Sequence, residues 1–223
     1  DTLELNETIL EAKRLGFTGP LFSYGGQFPE GLLKSQNLAL NMKEEDYYQR
    51  LSKLLKPFVG PEKSFNIVYL FSDEASGYSQ KIEEDYQFGL KIKKYFPYLS
   101  MGGFGAYEKS NPKLESLNRL FDFGFFSSLS VEDIKRLQNQ KLKWGFYNAV
   151  PTNLDDPRFA FGAGLFLARK NGLSHYLEWN SIGFNQYPYF DFDGRESDIV
   201  LFYPSANGGL QTSVRFELAR VGL

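Results

Sequence analysis

The chain has 223 residues, 42% of them hydrophobic and 23% charged, with 25 Lys plus Arg against 27 Asp plus Glu and a formal charge of −2. That length and apolar content support a buried core and exclude a disordered chain, and the charge balance leaves no basic excess to drive nucleic-acid binding by counterion release. Cysteine is absent and His175 is the only histidine, which removes disulfides, thiol catalysis, iron–sulfur clusters, thiolate zinc and multi-histidine metal sites.

In chain order, Leu5, Ile9 and Ala12 share one face of a helix expected from Leu5 to Leu15, stopped by Gly16. Thr18 to Tyr24 is a short strand, with Pro20 tolerated near its start. Glu44 to Phe58 reads as a helix, with Tyr47, Leu51, Leu54, Leu55 and Phe58 as its apolar stripe. Phe65 to Phe71 is almost continuously apolar, the pattern of a strand buried on both faces, and it runs into Ser72-Asp73-Glu74. A helix follows from Gln80 to Phe96, with Ile82, Tyr86 and Leu90 as its face, and then a strand from Tyr98 to Phe104.

The alternation continues. Lys113 to Leu120 is helical and Phe121 to Phe126 a strand. Ser130 caps a helix to Asn139, with Asp133 in the capping-box position. Leu142 to Val150 is a strand ended by Pro151. Phe159 to Asn171 is helical, Ser174 to Asn180 and Ile199 to Tyr203 are strands, and Thr212 to Val221 is a closing helix.

Strand alternating with helix implies a parallel sheet with crossover helices. Short strands in about six cycles favour a TIM-type (β/α)8 barrel. The chain opens on a helix, so the first one or two strands are expected to be missing from an otherwise single barrel domain over 1–223. Asp1 takes the place of an initiator Met and no signal peptide is visible, which suggests a processed or excised chain. No apolar run reaches the ~20 residues of a membrane span. The aromatic content, 22 Phe, 14 Tyr and 2 Trp, is read first as an aromatic-rich core and second as rings lining a cleft.

In such a barrel chemistry sits at the C-terminal ends of the strands. The residues there are Tyr24 and Gln27, Asp73 and Glu74, Tyr107, Ser127 and Ser128, Tyr147 and Asn148, Trp179 and Asn180, and Asn185. Asp73-Glu74 stands out. Two carboxylates crowded at a buried strand end should push one pKa upward, as a general acid requires. The plainer reading is that they open the next loop or helix. Tyr147, Asn148, Trp179, Asn180 and Tyr24 offer rings, amides and hydroxyls suited to a sugar.

The remaining candidates read as structural. Asp122 lies early in its strand, and Glu178 is either a second acid or the partner of a barrel cation. His175 is at the wrong end of its strand and reads as a satisfied core or rim histidine. Gly102-Gly103-Phe104-Gly105 lacks the dinucleotide fingerprint, and Asp191, Asp193 and Glu196 match no EF-hand. No cofactor or metal site is therefore expected.

WGFYNAVP, GLSHYLEWNS and DIVLFYPSANGGLQTSVRFELARVG resemble the C-terminal part of the barrel in glycoside hydrolase family 123, with Tyr203-Pro204, Arg215, Glu217, Arg220 and Gly222 at the family's positions. VYLFSDEAS resembles that family's strand ending in an Asp-Glu pair, although Ala75 stands where Pro is common. The resemblance implies a retaining β-N-acetylhexosaminidase, with N-acetylgalactosamine as the expected sugar, working by substrate assistance. Asp73 would orient and polarise the 2-acetamido group, whose oxygen attacks the anomeric carbon. Glu74 would protonate the leaving oxygen and later deprotonate water. Tyr147 and Trp179 would line the sugar pocket. The expected partners are a glycan and further domains of the same polypeptide, and a glycosidase reading favours an extracellular or periplasmic site. The alternatives are a carbohydrate-binding or scaffold barrel without turnover, and a two-carboxylate glycosidase pairing Glu74 with a distant acid such as Glu178.

Overall fold

The computed structural model describes residues 19–24, 43–60, 66–75, 79–105, 111–126, 129–147, 165–177 and 202–222, together with 7, 10, 11, 13, 14, 16, 63 and 107. Their strands are β1 (Leu21–Tyr24), β2 (Ile67–Ser72), β3 (Ser100–Gly105), β4 (Phe123–Phe126), β5 (Lys143–Tyr147) and β6 (His175–Leu177). Between them lie α1 (Glu44–Leu55), α2 (Ser79–Tyr95), α3 (Pro112–Asn118), α4 (Val131–Leu137) and α5 (Leu165–Lys170). The chain closes with β7 (Phe202–Pro204), β8 (Leu210–Thr212) and α6 (Val214–Gly222).

The six strands β1 to β6 form one sheet in sequence order. The pairs β1·β2, β2·β3 and β5·β6 are parallel. A parallel neighbour requires a crossover, which α1, α2 and α5 provide between those pairs. This is a mixed α/β chain with a parallel sheet, an arrangement compatible with part of a β/α barrel. It divides into two compact units, Asp1–Phe123 and Gly124–Leu223, with the border at the first residue of β4.

In the first unit Val68, Tyr69, Leu70 and Phe71 of β2 are all buried, as the continuous apolar run requires. Gly102 and Gly103 let β3 lie close to its neighbours. A Cβ on Gly102 would stand 2.5 Å from the Phe123 carbonyl oxygen, and one on Gly103 would stand 2.6 Å from Phe121 Cζ. Among the described residues of this unit, Tyr69, Phe71, Phe121 and Phe123 are buried in this packing, and the Phe121 ring lies in the space that Gly103 leaves. Asp122 is structural, as expected: its carboxylate accepts from the Met101 N–H at 2.9 Å, while its own N–H donates to Met101 O at 2.8 Å.

Two helix faces differ from the expected stripes. On α2 the buried positions are Ile82, Gly89 and Ile92, then Phe96 just beyond it, while Tyr86 is half-buried and Leu90 is exposed. Gly89 is the reason: a Cβ there would stand 2.8 Å from Phe71 and Leu120, so the helix presents its least bulky position to β2. On α1 the residue turned fully inward is Tyr48, stacked on Tyr95 with ring centroids 5.1 Å apart. Leu54 and, past its end, Phe58 face outward.

In the second unit Ser130 caps α4 through the expected box. Its hydroxyl accepts from the Asp133 N–H at 3.1 Å, and the Asp133 carboxylate accepts from the Ser130 N–H at 3.0 Å. A strand covers the described end of the one expected to finish at Tyr203. Phe202–Pro204 pairs antiparallel with Leu210–Thr212, outside the six-stranded sheet. The reason is the turn: Asn207-Gly208-Gly209 supplies a left-handed residue, Gly208 at φ 83°, and Ser205 N–H closes on Gly209 O at 2.8 Å. Thr212 therefore belongs to β8, and the last helix starts at Val214, its first turn capped by Ser213 Oγ accepting from the Phe216 N–H. Among the described residues no helix is long and apolar enough to cross a membrane.

Candidate active site

Asp73 and Glu74 follow directly on β2, at its C-terminal end. The strand holds its line through Leu70 and then slips: Leu70 pairs with Gly102, but Ser72 pairs with Gly103. An irregularity of this kind re-aims the side chains beyond it. Glu74 completes the turn. Its φ is 48°, the only positive value at a non-glycine among the described residues. For a side-chain-bearing residue this left-handed conformation is uncommon and has to be held by its surroundings. The hold on each side is visible: the Glu74 N–H donates to Phe104 O of β3 at 3.2 Å, and Ala75 is buried immediately after it.

The two carboxylates consequently differ. Asp73 is half-buried and Glu74 is exposed. Adjacent side chains on a regular strand would point to opposite faces. Here the slip and the left-handed residue break that alternation.

The residue before the pair is anchored by a group that sequence reasoning missed. Ser72 is fully buried and its hydroxyl donates to the Asp85 carboxylate on α2 at 2.7 Å. Lys81 Nζ donates to the same oxygen at 3.1 Å. The readable signal was Lys81 and Asp85 at i, i+4 on a helix that must pack beside β2. A groove of about 750 Å³ lies between α1 and α2, with Asp85, Glu84 and Phe71 on its walls; neither Asp73 nor Glu74 lines it.

Of the expected sugar-binding residues, Tyr147 is buried at the end of β5 and Tyr24 ends β1. Asn148, Trp179 and Asn180 lie outside the described residues, as do Gln27, Ser127, Ser128, Asn185, Glu178, Asp191, Asp193 and Glu196. Tyr107 is half-buried beyond β3. Among the described residues no cluster of His, Asp and Glu could hold a metal ion.

His175 is a satisfied histidine, as its place at the start of β6 suggested. Nε2 lies 3.2 Å from Gly124 O, and a carbonyl can only accept, so Nε2 carries the proton. Nδ1 lies 2.7 Å from the Ser174 hydroxyl, and the ring packs against Phe125 with centroids 4.3 Å apart. Burial pushes its pKa from 6.5 down to about 4, against the opposing effect of the bond to Gly124 and with a smaller downward push from Lys143.

No protein-family model matches the chain, and no curated protein matches it.

Proposed function

We propose that the chain is a retaining glycoside hydrolase acting on β-N-acetylhexosaminides by substrate assistance, with Asp73 and Glu74 as its working pair. The observation that carries the reading is the backbone of Glu74. An exposed carboxylate in a left-handed turn, fixed between a strand hydrogen bond and a buried alanine at the C-terminal end of a parallel strand, is strain retained where chemistry would use it. The resemblance of VYLFSDEAS and the closing stretch to glycoside hydrolase family 123 supports the same assignment.

The steps balance without an enzyme nucleophile. The Asp73 carboxylate accepts the acetamido N–H and turns the acetamido oxygen toward the anomeric carbon. That oxygen forms a bond to the carbon as the glycosidic C–O bond breaks, and the Glu74 proton goes to the leaving oxygen. The product is a cyclic oxazolinium held by Asp73 and an alcohol. Water then attacks the anomeric carbon, Glu74 takes its proton, and the ring opens with retention. Only one carboxylate has to reach the glycosidic oxygen, so neighbours in sequence can share the work. Tyr147, Asn148, Trp179, Asn180 and Tyr24 are the proposed sugar-contacting residues.

Release of nitrophenol from a nitrophenyl β-N-acetylgalactosaminide tests the assignment. Glu74→Gln is expected to lower turnover by about 10²–10⁴-fold, and Asp73→Asn by about 10²-fold or more, with both variants melting as the wild type does. Unchanged turnover in Glu74→Gln would overturn the assignment. A folded wild type that binds the sugar and cleaves nothing would point to the binding-domain reading.

A further inference from the structure

Ser174 and His175 stand at the entry to β6, and their side chains meet. Nδ1 of the imidazole lies 2.7 Å from the Ser174 hydroxyl, and Nε2 lies 3.2 Å from Gly124 O. The Gly124 carbonyl can only accept, so the ring proton is on Nε2 and Nδ1 is the accepting nitrogen. The Ser174 hydroxyl therefore donates to Nδ1. The same hydroxyl lies 3.0 Å from Trp144 O, but that carbonyl already accepts from the Ser174 N–H at 3.0 Å and does not need the side-chain proton.

This is a nucleophile, a base and a group that orients the base, each within hydrogen-bond reach of the next. Three strands of the second unit build it: Gly124 comes from β4, Trp144 from β5 and His175 from β6. Gly145 leaves room for the imidazole, since a Cβ there would run into the ring, and Phe125 packs against it with centroids 4.3 Å apart. The base is thus fixed in place, while Ser174 itself is exposed. Burial holds the ring's pKa at about 4 against the raising effect of the Gly124 bond, and Lys143 of β5 pushes the same way as burial. At neutral pH the ring is therefore in its proton-accepting form.

We propose that Ser174 is a nucleophile activated by His175 and that it takes an acyl group from an activated carboxylic ester. Oγ bonds to the ester carbonyl carbon as its proton passes to Nδ1. The bond from that carbon to the alkoxy oxygen then breaks, and the leaving alkoxide takes the proton from Nδ1. The products are an acyl-Ser174, an alcohol and a neutral ring. Between the two proton transfers the imidazolium is held by the Gly124 carbonyl, which accepts from Nε2 in either form of the ring. The site uses none of the residues assigned to glycoside hydrolysis.

An alkyl fluorophosphonate tests this on the full chain. It loses fluoride as Oγ bonds to phosphorus and leaves a stable adduct, and the labelled peptide is identified by mass. Ser174 is expected to label about 10²-fold or more faster than the exposed Ser23 of β1. His175→Gln should remove that advantage, with its melting temperature measured alongside, and Ser174→Ala should lose the labelled peptide. The rate at Ser174 should stay level between about pH 5 and pH 8, above the titration of the ring, whereas a hydroxyl ionised by solvent reacts faster as pH rises. Labelling no faster than at Ser23, labelling undiminished in folded His175→Gln, or a rate that climbs with pH across that range would overturn the proposal. The comparison with Ser23 and the pH profile need only the wild type, so they decide the matter whether or not His175→Gln folds.

Discussion

Gly145→Ala is expected to destabilise the second unit by about 3 kcal/mol, lowering the melting temperature by roughly 6–12 °C. Gly145 is paired with His175 in the parallel register of β5 and β6. A Cβ at 145 would run into the carbonyl oxygen and the ring of His175. Neither can yield cheaply. The carbonyl belongs to a strand, and the ring is held by Gly124 O, by the Ser174 hydroxyl and against Phe125. Alanine would gain some backbone entropy over glycine, under about 1 kcal/mol, which the clash outweighs. Gly105→Ala is the matched control, because a Cβ there meets nothing within 4 Å. Thermal denaturation of the two variants checks the difference; equal melting temperatures would show that β5 and β6 are not so close.

Acid is expected to destabilise the protein through the same histidine. In the unfolded chain the imidazole titrates at 6.5, and in the folded one at about 4. Between those values the unfolded state binds the proton and the native state does not, so protonation draws the equilibrium toward unfolding. The neutral ring's contribution is whole above pH 6.5, declines as pH falls through the window and is gone below about 4. At 1.36 kcal/mol per unit this amounts to about 3 kcal/mol. His175→Gln keeps a donor for Gly124 O and lacks the titration. Denaturant unfolding of both proteins across this range should show a steeper fall in the wild type, and parallel profiles would contradict the buried neutral histidine.

Much of the architecture was readable because local signals agreed. The apolar run before Asp73 could only be a strand buried on both faces, and it is β2. Ser130 and Asp133 announced the start of α4. Asp122 and His175 were assigned structural roles from their places in their strands, and both are hydrogen-bonded there. The failures have physical causes. The apolar run ending at Tyr203 marks a strand but not its partner; the Asn207-Gly208-Gly209 turn beyond it is what pairs Phe202–Pro204 antiparallel with Leu210–Thr212. The α2 stripe was read from bulky residues, yet the closest approach to β2 is at Gly89, which carries no hydrophobic weight. On α1 an apolar count could not say that Leu54 and Phe58 turn outward.

At the candidate site the Asp-Glu pair was legible as composition, and its geometry was not. Nothing in the letters distinguishes Glu74 from any acid opening a helix; its left-handed backbone depends on a hydrogen bond to Phe104, thirty residues away. The Ser72–Asp85 bond that fixes the preceding residue is likewise a tertiary fact, joining a strand end to the second turn of α2.

The most direct test of Asp73 and Glu74 as a substrate-assisting pair is the ratio of kcat/KM for a nitrophenyl β-N-acetylgalactosaminide and for its 2-hydroxy analogue, measured on the same folded wild-type protein. Substrate assistance requires the acetamido oxygen, so only the acetamido sugar should be cleaved. Equal cleavage of both would contradict it and would assign the attack to a nucleophile of the protein.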